Sequence, residues 1–260
     1  MPALTPLAAD WDAQRPRLLA GRLMLALDYD GTLVPIADRP DLATFDDEGR
    51  ALLRALATRH DVAIVTGRAL PDVRALVGVD EVTYAGNHGF EIEGPSLSYR
   101  PAPELPEIVE AAGEDAQARL TGIEGVVLER KGYSLSVHYR LVDEAQVPGV
   151  RQAVDAVVAA APGMKLHHGK KVFEIRSDRA WHKGAAVGWL VDRIDDAAGR
   201  DRLPRRLLAL GDDVTDEDMF REVTGRGGLA VRVGPEPAQS VATHRLPDPA
   251  AAREILATLV

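Results

Sequence analysis

Five short apolar runs mark the chain: LMLAL (23–27), VAIVT (62–66), VTYAG (82–86), RLLALG (206–211) and GLAVRVG (228–234). They are near-continuously apolar rather than alternating, the pattern of parallel strands covered on both faces. Between them the period changes. DDEGRALLRALATR (46–59) sets Leu52, Leu53 and Leu56 on one helical face, and KGAAVGWLVDRI (183–194) does so with Val187, Leu190, Val191 and Ile194. Strands alternating with helices predict a doubly wound, mostly parallel α/β sheet.

The middle of the chain has another rhythm. Pro95, Pro101, Pro103 and Pro106 interrupt the exit from the third run, and a helical stretch follows around 104–120. In GVVLERKGYSLSVHYR (125–140), Leu135, Val137 and Tyr139 alternate with Ser134, Ser136 and His138, as in an antiparallel sheet with one covered face. A second helix (144–160) and a strand pair, MKLHHGKKVFEIR (164–176), complete an α-β-β-α-β-β unit. Residues 102–177 therefore read as an inserted α/β cap, splitting a core made of 1–101 and 178–260.

Composition narrows the function. With 260 residues and 46% hydrophobic content the chain has ample core. It has no cysteine, which removes disulfides and thiolate metal sites. A net charge of −9 argues against broad adhesion to nucleic acid or anionic membrane. No run approaches a membrane span, and the first twenty residues lack the apolar stretch of a signal peptide. The expectation is a cytoplasmic, monomeric protein with a small-molecule partner.

The chemistry sits where the strands end. LMLALDYDGT places Asp28 and Asp30 at the close of a buried run, although paired carboxylates resist joint ionisation in a poorly solvated site. In an open parallel sheet, ligands bind outside the carboxyl ends of strands. Asp28 there can attack phosphorus, and Asp30 can protonate a leaving alkoxide and then deprotonate water. Thr66, in IVTGR, offers its hydroxyl and its N–H to phosphate oxygens, with Gly67 beside it, and Lys183 begins a helix where an anion is favoured. Asp212, in LLALGDDVTDEDMF, can hold Mg²⁺ together with Asp28 and an oxygen of Asp30. Taken alone, each string reads as a turn, a helix cap or a solvated patch. Their order and placement argue for catalysis.

In that order and placement the sequence resembles the haloacid dehalogenase-like phosphatases, with their Rossmann-like core. The resemblance implies Asp28 as nucleophile, Asp30 as general acid/base, Thr66 and Lys183 as phosphate ligands, and Asp212 as a magnesium ligand. It also implies Asp213 as a group orienting metal-bound water, and Asp216 as a cap on the next helix or, as the lesser alternative, a member of the metal's surroundings. GNHGFE (86–91), KGYSLSVHYR (131–140), GKKVFEIR (169–176), KGAAV (183–187) and GDDVTDEDMF (211–220) further resemble the trehalose-6-phosphate phosphatases. That implies contacts from Glu129, Lys131, Arg140, Lys170 and Glu174 to the glucose unit farther from the reaction. Asn87 and His88 are either substrate neighbours or a structural turn. Ser177 stands where that family often has proline. The alternatives are a phosphatase for sucrose phosphate, mannosylglycerate phosphate or another sugar phosphate, a receiver-type signalling module, and a silent sugar-binding homologue.

Overall fold

The structure, a computed structural model, describes residues 3–37, 43–169, 171–198, 205–237 and 239–260. The expected substrate residue Lys170 lies outside the described residues. The chain divides into two compact units, Met1–Arg100 with Trp181–Val260, and Pro101–Ala180.

In the first unit a nine-stranded sheet runs in the order β1 (Thr5–Pro6), β13 (His244–Leu246), β12 (Leu229–Val233), β11 (Arg206–Gly211), β2 (Leu23–Leu27), β3 (Asp61–Val65), β4 (Thr83–Gly86), β5 (Glu91–Gly94), β6 (Leu97–Tyr99). All neighbours pair in parallel except β4–β5 and β5–β6. That antiparallel edge hairpin was not among the expected strands: EIEGPSLSY is short, polar and broken by Pro95, so it carries little strand signal.

The five residues of β2 show why the run is apolar throughout, since side chains alternate between two cores. Leu23, Leu25 and Leu27 join α1 (Leu7–Leu18), α2 (Asp47–Ala57), α3 (Leu70–Val77) and α8 (Pro249–Ala257). Met24 and Ala26 face α6 (Lys183–Ala198) and α7 (Glu217–Gly225) on the other side. The sheet is thus wound on both faces. Each fully buried leucine contributes about 1.5–3 kcal/mol by leaving water. The N-terminal helix belongs to this core: Leu7, Trp11 and Leu18 are buried in it, and Trp11 Nε1 donates to Thr258 Oγ1 at 3.0 Å.

The central pair, β11 and β2, forms the switch point of the sheet. From β2 the chain proceeds through β3 and β4 on one side, then returns through β11, β12 and β13 on the other. The connections diverge there and leave a crevice beyond the carboxyl ends of the two strands. Asp28 follows β2 and Asp212 follows β11.

The second unit has the order α4 (Leu105–Arg119), β7 (Val127–Arg130), β8 (Ser134–His138), α5 (Val147–Ala160), β9 (Met164–Gly169), β10 (Val172–Ser177), with sheet order β7-β8-β10-β9, all antiparallel. Leu135, Val137, Phe173 and Ile175 are buried on one face. Ser136, expected on the open face, is nevertheless 1% exposed.

Candidate active site

Asp28 extends the sheet by one residue, its N–H donating to Leu210 O at 3.0 Å, and its side chain is buried. The chain then turns tightly: Tyr29 O accepts from the amides of Leu33 and Val34, and Gly31 N donates to Val34 O at 2.8 Å. Gly31 has φ +76°, and a Cβ there would drive into the Asp212 carboxylate. Glycine is required at 31 on both counts.

Around Asp28 the structure gathers Lys183, Asp212 and Asp216. Lys183 Nζ donates to Asp28 Oδ1 at 2.7 Å and to Asp216 Oδ1 at 2.6 Å, and all three side chains are buried. Thr32 Oγ1 lies 3.4 Å from Asp28 Oδ2 and 3.5 Å from Asp212 Oδ1. Asp28, Asp212 and Asp216 each offer a carboxylate oxygen within 4.8 Å of the others. Three carboxylates against one ammonium leave two negative charges uncompensated in a low-dielectric site. Burial, with Asp216 and Asp212 nearby, pushes the Asp28 carboxyl well above its ordinary range, opposed by Lys183. Burial and Asp216 push Asp212 up to about 6. Burial acts against the charge on Lys183, but the facing Asp28 and Asp216 carboxylates hold its pKa above the usual lysine value. The donor set is all oxygen, hard and anionic, which fits a divalent cation such as Mg²⁺ rather than a thiophilic metal.

Two expectations are corrected here. Asp216 does not cap α7 with its side chain. It reaches back instead: Oδ2 accepts the amides of Asp212 and Asp213, each at 3.0 Å, while Oδ1 takes Lys183. Asp213-Val-Thr-Asp216 forms a reciprocal capping box about a short helical turn, a spacing visible in the sequence. Gly211 permits this, since a Cβ there would overlap the Asp216 carboxylate. Asp213 is exposed, its Oδ1 accepting Val214 N at 2.6 Å, and it stays outside the cluster of buried Asp28 and Asp216 with half-buried Asp212. Second, the amide of Thr66 is spent on Ala85 O at 2.9 Å, so it is no phosphate donor. The Thr66 hydroxyl accepts from Arg68 N at 3.2 Å and keeps its own proton to donate. Gly67 is exposed beside it.

Asp30 is half-exposed, and its carboxylate is absent from the trio. Both oxygens accept from Arg68, Oδ2 from Nε and Oδ1 from Nη2, each at 2.6 Å. Sequence reasoning missed Arg68, although it stands two residues beyond the end of β3's apolar run. The backbone at Asn87 and His88 is left-handed in two successive non-glycine residues, φ 49° and 57°. Asn87 N donates to Arg68 O at 2.7 Å and His88 N to Thr66 O at 2.8 Å, so this turn braces the Thr66–Arg68 loop. Asn87 Nδ2 donates to Glu91 at 2.7 Å.

In the second unit, register places Glu129, Ser136, Glu174 and His167 in one row across all four strands. The row lies on the face opposite Leu135, Val137, Phe173 and Ile175. Glu129 Oε2 pairs with His138 Nε2 at 3.0 Å and Lys131 Nζ at 3.2 Å. Partial burial would raise its pKa, yet His138 and Lys131 hold it below the usual carboxylate range. Glu174 pairs with Arg176. Lys131 and Arg140 sit just beyond the ends of β7 and β8 rather than within the strands, and both are exposed. His168 belongs to the helix-covered face, 3.2 Å from Arg151 Nη1 on α5.

The trehalose-phosphatase family model matches residues 26–249. Trehalose-phosphate phosphatase B of Arabidopsis thaliana is 36% identical over 251 residues, covering 92% of this chain and 66% of that protein. The chain thus spans about two thirds of that relative's length. A trehalose 6-phosphate phosphatase of Zea mays is 34% identical over 277 residues, covering 96% of this chain and 76% of its own. Among solved structures, the C-terminal domain of Candida albicans trehalose-6-phosphate phosphatase superposes with a TM-score of 0.75 at 25% identity over 100% of both chains. With its haloacid dehalogenase-like core, the chain belongs to the trehalose-phosphatase family of phosphoric monoester hydrolases.

Proposed function

We propose that the protein hydrolyses trehalose 6-phosphate to trehalose and inorganic phosphate, with Mg²⁺ as cofactor and a phosphorylated Asp28 as intermediate. The observation that carries this reading is the buried Asp28 at the switch point, held by Lys183 and surrounded by more negative charge than Lys183 can offset. Asp28, Asp212 and the backbone oxygen of Asp30 would hold the cation; Asp216 already accepts three hydrogen bonds and serves as their frame. Bound there, a divalent ion offsets the carboxylate charge, so that an anionic nucleophile can approach an anionic ester.

The chain's own groups do the rest. Lys183 and the Thr66 hydroxyl, with the Gly67 amide, bind the phosphoryl oxygens. Asp28 attacks phosphorus as Asp30 gives a proton to the departing 6-oxygen. Asp30 then takes a proton from water as phosphate leaves Asp28. Asp213, exposed beside the cluster, would orient water at a bound cation, and Asn87 and His88 shape the loop that carries Thr66. Residues 102–177 act as a cap that recognises sugar. Glu129, Lys131, Arg140, Lys170 and Glu174 supply hydrogen-bond donors and acceptors of both signs, as a polyhydroxylated ligand requires. The test is Mg²⁺-dependent phosphate release across a sugar-phosphate panel, with Asp28→Asn as blank. Preference for trehalose 6-phosphate by about 10⁴ over glucose 6-phosphate is expected, because a smaller sugar leaves unpaired the cap polar groups that the bound disaccharide would take out of water. Equal turnover of both would remove the role given to the cap residues, and a better ester in the panel would replace trehalose 6-phosphate.

A further inference from the structure

We propose that Arg68 is the positioning residue for Asp30, fixing the direction in which that side chain delivers and receives its proton. The inference rests on the phosphatase reading above. A guanidinium fork matched to both oxygens of one carboxylate sets the plane of that carboxylate as well as its location, which a point charge does not do. Here both bonds are 2.6 Å. Arg68 is itself held from several sides. Its side chain is 14% exposed, against 36% for Asp30, and its guanidinium lies over the buried Tyr29 ring at 5.4 Å from the centroid. Its amide donates to Thr66 Oγ1 at 3.2 Å, and its carbonyl accepts Asn87 N at 2.7 Å. The Asp30 backbone is likewise fixed, by its bridge to Val34 in the Gly31 turn. The loop expected to grip phosphate through Thr66 therefore also carries the clamp on Asp30. Phosphate placement and acid placement share one rigid segment.

The proton inventory fits this fork. In the first step Asp28 forms a bond to phosphorus, the bond from phosphorus to the sugar oxygen breaks, and the proton on one Asp30 oxygen passes to that oxygen. Arg68 can keep the other Asp30 oxygen throughout. Asp30 is then a carboxylate, and both oxygens accept from Arg68 as seen in the structure. In the second step a water oxygen bonds to phosphorus, and its proton passes to Asp30. The bond from phosphorus to Asp28 breaks, its electron pair returning to the carboxylate. The fork thus suits the acceptor form between the two steps and restrains the same side chain in both.

The test compares two esters. Trehalose 6-phosphate releases an alkoxide that needs a proton, whereas p-nitrophenyl phosphate releases a stabilised anion that does not. In Arg68→Lys and Arg68→Met, kcat/KM for trehalose 6-phosphate should fall by at least ~30-fold while that for p-nitrophenyl phosphate changes by less than about threefold, since only the first needs an oriented acid. In an Asp30→Asn background Arg68→Lys should cost almost nothing further, because a residue acting through Asp30 has no effect once Asp30 cannot act. A proportional fall on both esters would make Arg68 a phosphate ligand, and a full additional fall beside Asp30→Asn would show independent action. Failure of both variants to fold would assign Arg68 to structure. Any of these outcomes overturns the proposal. Absence of wild-type turnover of either ester would instead strike the phosphatase reading itself.

Discussion

The two units use charge in opposite ways. In the Met1–Arg100/Trp181–Val260 unit, Asp28, Thr32, Thr66, Lys183 and Asp216 are all buried; Asp28 and Thr66 directly follow sheet strands, Lys183 and Asp216 stand at helix starts, and Thr32 lies in the turn after Asp28. Among the described residues of Pro101–Ala180, Ser136 is the one buried polar side chain. The Lys183–Asp28 pair is 3% and 6% exposed; the Lys131–Glu129 pair is 40% and 49% exposed. A buried pair is costly to desolvate and is strongly felt, which suits fixed electrostatics around a reacting phosphorus. An exposed pair is weak and exchangeable, so its members can trade one another for sugar hydroxyls. In the proposed reading, catalysis and recognition are separated along the chain by burial.

Substitutions can break that contrast, and the largest effect belongs to Asp28, the proposed nucleophile. Asp28→Asn should lower kcat by about 10⁴-fold or more on every ester, measured as phosphate release, while thermal unfolding shows a folded protein because one of the crowded negative charges is gone. Lys183→Met should abolish activity and also cost stability, by about 3–5 kcal/mol, since it leaves Asp28 and Asp216 buried without their cation; chemical denaturation measures it. Glu129→Ala and Glu174→Ala should act differently. Each should reduce kcat/KM for trehalose 6-phosphate by roughly 10–100-fold through unpaired sugar hydroxyls, with p-nitrophenyl phosphate turnover unchanged and unfolding shifted by less than about 0.5 kcal/mol. Loss of stability in the cap variants equal to that of Lys183→Met would erase the distinction between the units.

The smallest effect is a pH dependence. Asp212 titrates near 6 in the folded protein, raised first by burial and then by Asp216. Between the ordinary carboxylate range and pH 6 the native chain holds a proton that the unfolded chain has lost. Stability of the metal-free protein therefore declines as pH rises through that window. A protonated Asp212 is a poor ligand, so the Mg²⁺ concentration needed for half-activation should increase as pH falls below about 6. Titrations at two pH values, with Asp212→Asn lacking the effect, check this.

Much of the architecture was legible because burial on both sheet faces leaves an apolar run that nothing else explains. LMLAL and RLLALG appear as β2 and β11, and the acids following them lie at one crevice. Residues whose significance depends on a distant partner were harder to read. Arg68 is a lone cation until folding sets it beside Asp30, 38 positions earlier. Asp216 looked like an ordinary helix cap because its true partners include Lys183, 33 positions away. The amide of Thr66 looked available until β4 was placed against β3. Side-chain period predicts which face a residue takes, but hydrogen-bond accounting needs the neighbouring strand.

The central claim is that the phosphoryl group passes through a covalent bond to Asp28. A crystal of the Mg²⁺-loaded protein soaked with beryllium fluoride measures this directly. The account predicts a tetrahedral fluoride mimic joined to an Asp28 carboxylate oxygen, with Lys183 and Thr66 on its fluorines. A mimic bound away from Asp28, with a water aligned for direct displacement, would contradict it.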